Sequence, residues 1–229
     1  MAYKTELHCH SKPVSICGER DAAQIAEAYA AAGYATVVLM NHINYNVDQW
    51  EHLPTWNDKV DYFLEDYHDL KKAAEGKLNI LWGVELRLED GNANDYLIYG
   101  ITEEFLRRVG DLRHYPLKEL SELLRGEGFL FAMAHPFRTG ITLRNPALFD
   151  GIEVYNGHTH HNSRNYLARA LAEKEPHLIL LSGNDYHHLD QPLIAGIETE
   201  TPITTDEELL AVLRNGTYTL LKNTALVED

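Results

Sequence analysis

Short apolar runs alternate with amphipathic helical stretches along nearly all of the 229-residue chain, and this order restricts the fold more than any other feature. The run TVVLMNH at 36–42 shows no polar alternation before its last two residues, as expected of a strand buried on both faces of a parallel sheet. Before it, TELHCH at 5–10 reads as a strand, and Asp21 as the N-cap of an Ala-rich helix that Gly33 ends. A polar, aromatic loop is expected over 44–58, then a helix over 59–76, strands at 78–88 and 94–101, and a helix at 116–128. Strands at 129–137 and 151–157, a helix at 162–174, strands at 177–185 and 193–199, a helix at 206–216 and a strand at 218–221 complete the series. No Pro, Gly or Ser-rich linker divides it. The pattern predicts one α/β domain over residues 1–229, most simply a barrel.

In α/β barrels functional side chains collect at the C-terminal ends of the strands. Here those ends carry His8 and His10, then Asn41 and His42, Glu85, His135, Glu153 and Asn156, and finally Asp185 and His187, while Asp95 opens the strand after Glu85. Alternation along an extended strand puts Glu6, His8 and His10 on one face, with Glu6 placed to orient an imidazole through its second nitrogen. Nitrogen and oxygen donors suit Zn, Mn or Fe. More than four of them imply more than one ion, and a carboxylate such as Glu85 can bridge two. A second histidine cluster, HTHH at 158–161, is flanked by Gly157, Asn162 and Ser163, and is expected to be a loop at the pocket edge, with substrate contact as the lesser reading. His52, His68, His114 and His177 lie among charged or turn residues and are expected at the surface.

With 20 Lys and Arg against 35 Asp and Glu, the formal charge of −15 disfavours a nucleic-acid partner, which needs a basic face. A small anion held at a metal is compatible with it. No apolar run approaches the roughly 20 residues that cross a bilayer, so no membrane association is expected and the reading is cytoplasmic. Two cysteines, Cys9 and Cys17, are too few for a disulfide framework.

Taken together, ELHCH at 6–10, NH at 41–42, GVE at 83–85, AHPFR at 134–138 and SGNDYH at 182–187 resemble the polymerase and histidinol phosphatase (PHP) family. The resemblance implies a single distorted (β/α)7 TIM-like barrel holding two or three divalent metal ions (Zn, Mn or Fe), and hydrolysis of a phosphomonoester of a small metabolite by a metal-bridging hydroxide. By position, it implies His8, His10, Glu85 and Asp185 as ligands of one ion, Glu85 and His135 of a second, and His42 with His187 of a third. Glu85, His135, Asp185 and His187 are thereby the candidate catalytic residues, and the substrate expected is a small phosphate ester.

Three departures from the family pattern matter. Where relatives carry another histidine after the HxH, this chain reads SKPVSICGE, so Cys17 or Glu19 takes its place or the third ion is weakly held or absent. Where relatives carry a histidine on the fourth strand, Asp95 is the candidate ligand. Asn41 stands where an aspartate precedes the histidine of the second strand, and is expected to orient His42. Arg138 is placed to hold a phosphate oxygen, with Asn156 and Tyr155 shaping the pocket. Tyr45, Trp50 and Trp56 either stack on substrate or pack their loop. The competing readings are an amidohydrolase, which usually needs a bridging lysine, whereas only Lys222 lies at a strand end from Leu78 onward, and a non-catalytic metal-binding or regulatory module. A nuclease or proofreading role ranks below a small-molecule phosphatase.

Overall fold

The apolar run of the second strand does lie between two parallel neighbours. In the computed structural model, which describes residues 2–223 and Ala225, β2 (Tyr34–Leu39) pairs in parallel with β1 (Tyr3–Cys9) and with β4 (Asn79–Arg87). The two-residue β3 (His42–Ile43) extends this edge, setting His42 opposite Glu85. The sheet continues through β5 (Asp95–Tyr99), β6 (Leu130–Met133), β7 (Gly151–Asn156) and β8 (Ile179–Gly183), while on the other side of β1 lie β9 (Gly196–Thr199) and β10 (Thr219–Leu221). The sheet curls until β8 returns to β1: His10 N donates to Tyr186 O and Tyr186 N to His8 O, each at 3.2 Å. The result is the expected TIM-like barrel, nearly closed.

Among the described residues six α-helices accompany the strands: α1 (Ala22–Ala31), α2 (Trp56–Ala73), α3 (Glu103–Val109), α4 (Leu117–Glu127), α5 (Asn165–Ala172) and α6 (Asp206–Asn215). Asp21, Thr55 and Thr205 each form a reciprocal capping box, which satisfies amide groups that the first helical turn leaves free. Leu7, Val38, Leu81, Leu97, Leu181 and Ile197, from six strands, meet Leu209 and Leu213 of α6 in one cluster that fills the barrel. A second layer, including Ile25, Tyr29, Val37 and Leu39, packs α1 against the sheet.

Three features differ from expectation. β5 runs antiparallel to β4 and β6, so its first residue, Asp95, pairs with Arg87 at the last position of β4. Reversal thus brings a strand start to the end of the barrel where its neighbours finish. The register of β1 on β2 slips between Glu6 and Cys9, marking a bulge. Beyond the bulge the alternation inverts: Glu6 accepts from the Tyr29 hydroxyl of α1 at 3.0 Å, Cys9 packs beside Tyr29, and His8 and His10 face the barrel end. Glu6 therefore does not share the histidines' face. Finally, α3 is an additional helix between β5 and α4, and the 44–58 loop holds a 3-10 turn at Tyr45–Gln49 before α2 begins at Trp56. Among the described residues no helix is long and apolar enough to cross a membrane.

Candidate metal centre

Two strained backbones sit at this end of the barrel. His135 (φ 27°) and Asp185 (φ 49°) adopt positive φ, which costs an L-residue on the order of 1–3 kcal/mol and persists only where surrounding bonds enforce it. Glu153 does so for the first, accepting from His135 N at 2.8 Å, and Gln191 for the second, with its amide donating to Asp185 O at 3.2 Å. Both side chains are thereby turned into a cluster of imidazoles and carboxylates.

Within it, ligand atoms of His8, His10, Glu85 and Asp185 lie within 4.8 Å of one another, as do those of Glu85, Asp95 and His135, of His10, His42 and His187, and of His158, Asp185 and His187. Glu85 stands at the centre: Oε1 is 3.4 Å from His8 Nε2 and 3.0 Å from His135 Nε2, and Oε2 is 3.3 Å from His10 Nε2 and 2.8 Å from His42 Nδ1. Asp185 Oδ1 is 3.5 Å from His8 Nε2 and 3.4 Å from His10 Nε2. His8 Nε2, His10 Nε2, Glu85 Oε2 and Asp185 Oδ1 are all buried and lack a hydrogen-bond partner. Buried polar atoms are almost always satisfied. Four that converge and are not, with the donor types divalent ions take, fit a metal site.

The sequence-predicted residues fall into place around this core with some exchange of duties. The carboxylate that orients His8 is Glu153, 2.9 Å from Nδ1, rather than Glu6, which instead accepts from His8 N and Asn184 N. Asn41 does not touch the His42 ring; it accepts from Ser15 Oγ at 2.8 Å, and Ser15 in turn accepts from His42 N and lies 3.4 Å from His10 Nδ1. Asn156 is fully buried and donates to Glu153 and Asp185, behind the cavity rather than on its wall. Tyr155 turns its hydroxyl to Asn223 O, away from the ligands. Glu19 also points elsewhere, accepting from Leu189 N and lying 3.3 Å from His188. Trp50 and Trp56 pack their loop, the first against Tyr62 and Phe63 and the second onto Leu106 O, while Tyr45 is exposed at the cavity mouth. His52, His68, His114 and His177 are exposed.

A cavity of about 450 Å³ opens over the ligands. On one side Arg87 grips Asp95 with two nitrogens at 2.7 and 2.6 Å, and Arg138 reaches the same carboxylate at 2.8 Å. Arg87 is a site residue that the strand-end reading misses, although alternation from Glu85 points it to the same side. On the other side the 158–161 loop enters the site more deeply than expected. His158 is buried, stacks on His161 at 4.1 Å, and accepts from His160 N at Nδ1, which leaves its ring proton on Nε2 as a donor. His161 Nε2 lies 3.4 Å from Asp185 Oδ2.

Burial and charge oppose each other throughout. Burial disfavours the His8 cation, yet Asp185, Glu153 and Glu85 hold its pKa well above the ordinary value. His10 is pushed well down, by burial and by the neighbouring His187 and His42. Glu85 and Asp185 resist desolvation and stay well below the usual carboxylate range because imidazoles surround them, His8 foremost. Despite burial, Glu85 lifts His42 to about 10 and Asp185 lifts His187 to about 9. Burial lowers His158 to about 3, so it is neutral. At the cavity mouth desolvation raises the Cys17 thiol, but His187 and His42 outweigh it and bring it to about 6.

No family model matches the chain, and no curated protein does. Solved structures do. PsfC from Pseudomonas syringae PB-5123 superposes with a TM-score of 0.71 at 16% identity, over 97% of this chain and 92% of its own. A two-domain protein from Bacteroides vulgatus ATCC 8482, described as containing a predicted PHP-like metal-dependent phosphoesterase, gives 0.66 at 15% identity over 97% of this chain, which spans 65% of that protein. An amidohydrolase from Chromobacterium violaceum, solved with bound sulfate and no metal, gives 0.51 at 15% identity, over 96% of this chain and 98% of its own. The chain thus has the fold of structures named PHP-like metal-dependent phosphoesterases.

Proposed function

We propose that this chain is a metal-dependent hydrolase of phosphate esters, acting on a small phosphomonoester. The observation that carries the reading is the convergence of unpartnered, buried ligand atoms of His8, His10, Glu85 and Asp185 beneath a cavity whose wall presents Arg87 and Arg138. His8, His10, Glu85 and Asp185 would hold one divalent ion, Glu85, Asp95 and His135 a second, and His42 with His187 a third, Zn, Mn and Fe all suiting these donors. Such ions, when bound, supply Lewis acidity and a water of lowered pKa.

The chain's own residues do the rest. Arg138 and Arg87 hold phosphoryl oxygens, guanidinium forks being suited to that anion. Neutral His158 donates from Nε2 to an oxygen above Asp185, and His161, hydrogen-bonded to Asp185, is placed to return a proton to the leaving group. Asn156 and Glu153 keep Asp185, His8 and His135 in position. An amidohydrolase would use a bridging lysine, and none lines the cavity.

The test is release of phosphate from a panel of phosphomonoesters, beside p-nitrophenyl phosphate and bis(p-nitrophenyl) phosphate, by protein loaded with each metal. His135→Ala and Asp185→Ala should abolish turnover while circular dichroism stays unchanged. Full activity in either variant refutes the assignment; metal retention without any hydrolysis points to a binding module.

A further inference from the structure

Beside the nitrogen and oxygen donors of the barrel floor lies one group of a different kind. Cys17 lines the same cavity as His42 and His187, and its thiol is electrostatically paired with both rings. These rings bring Nε2 to 3.4 Å from Nε2. On His187, Nδ1 donates to Asp185 O at 2.9 Å, so the neutral ring carries its lone pair on Nε2; on His42, Nδ1 lies 2.8 Å from a Glu85 oxygen, which favours the same neutral tautomer. Two imidazole nitrogens that face each other with lone pairs repel unless a proton or a cation lies between them.

The loop carrying Cys17 is tied to the same two histidines. Ser15 Oγ accepts from His42 N at 3.2 Å, and Glu19 N donates to His187 O at 2.8 Å, so the thiol is suspended between one anchor to each. Gly18 N closes the turn on Ser15 O, also at 2.8 Å. Glu19, the other candidate in this loop, is directed away to Leu189 and His188. We propose that the Cys17 thiolate completes the third cation position, that of His42 and His187, as a soft donor at the cavity mouth, with zinc, rather than manganese or magnesium, as the cation it selects. Thiolate donors favour Zn²⁺ and Co²⁺ over harder ions, which the mixed nitrogen and oxygen donors of the floor also suit. The inference rests on the proposed function only in taking the cluster to bind metal.

Cobalt reads it directly. Metal-free protein titrated with Co²⁺ should show a near-ultraviolet thiolate-to-cobalt charge-transfer band, and Zn²⁺ should protect Cys17 from a thiol reagent. Cys17→Ser, at an exposed position that tolerates the change, should lose the band and one metal equivalent while the floor ions remain. Cys9 is fully buried in the core beneath α1, so Cys9→Ala serves as the control that keeps the band. Absence of the band in the unsubstituted chain, or its survival in Cys17→Ser, overturns the proposal. A protein without phosphatase activity that shows the band loses only the proposed function, and one that hydrolyses esters without the band loses only this inference.

Discussion

Replacing Glu153 isolates the contribution of the residues behind the metal ligands. Its carboxylate is 1% exposed and serves three donors: His8 Nδ1 on Oε1, and His135 N with Asn156 Nδ2 on Oε2, at 2.9, 2.8 and 2.9 Å. Glu153→Ala strands all three, at roughly 1–3 kcal/mol each. The sum, about 3–9 kcal/mol, is comparable with the whole stability of a domain, so this variant is expected not to fold. Glu153→Gln is the informative change. A backbone N–H cannot reverse its polarity, so the amide oxygen takes the place of Oε2, and the new NH₂ confronts His8 Nδ1. His8 then accepts at Nδ1 and moves its proton to Nε2, the nitrogen facing Glu85 and Asp185, which removes the ligating lone pair. Disturbing such an outer partner typically weakens metal binding about 10- to 100-fold, or about 1.4–2.7 kcal/mol. Competition against a chromophoric chelator measures it, with circular dichroism to show that the fold persists. An unchanged zinc affinity in folded Glu153→Gln would refute the claim that Glu153 sets the His8 tautomer.

The pH dependence of stability tests the support beneath this layer. Burial raises Asp66 to about 6 despite donors from Ser11 and Asn41. The folded state therefore prefers the protonated acid, and the stabilisation, complete below about pH 4, is lost as pH rises through about 6; relative to Asp66→Asn, chelator-treated protein should lose about 3 kcal/mol between pH 4 and 8 in urea unfolding. A flat difference between the two would show that Asp66 does not change its proton affinity on folding. Gly183→Ala puts a Cβ 2.4 Å from His8 Cβ and 3.2 Å from His8 N, an overpacking that should cost about 1–3 kcal/mol and reduce zinc content, read by thermal melting and elemental analysis. A metal centre built from this cluster exists only in the folded chain, so free zinc at 100 times its Kd should add about 2.7 kcal/mol; a melting temperature that chelation leaves unchanged would count against a metal centre.

Much of the site could be read from the sequence because strand ends in a barrel converge whatever the intervening loops do. His8, His10, His42, Glu85, His135, Asp185 and His187 all fall at such ends and meet beneath one cavity. Asp95 joins them for a reason that strand-by-strand reading could not supply, since the antiparallel direction of β5 is decided by pairing with β4 and β6. The bulge in β1 was equally hidden. Residue alternation assumes regular pairing, and one extra residue between Glu6 and Cys9 sends Glu6 to α1. The turn residues around His158 correctly marked a loop but not its fold-back over Asp185, which depends on Ser163 and Asn156 holding it there. α3 is missing from the expected elements although ordinary signals mark it: Thr102 caps it, Glu103 and Glu104 open it, Arg107 and Arg108 close it, and Gly110 follows.

The charge balance explains why this arrangement favours cations over a network of ion pairs. Glu85, Glu153, Asp95 and Asp185 are each at most 3% exposed. Arg87 and Arg138 compensate Asp95 alone, which leaves three buried carboxylates to the imidazoles. Without metal the compensation takes the form of protons, as the raised pKa values of His8, His42 and His187 record. A nitrogen that ligates cannot keep its proton, so metal binding must release protons and strengthen with pH until the imidazoles are neutral. His10 is the exception, already deprotonated by burial and its cationic neighbours, and with Nε2 turned to both Glu85 and Asp185 it offers an incoming ion a lone pair that requires no prior loss of a proton.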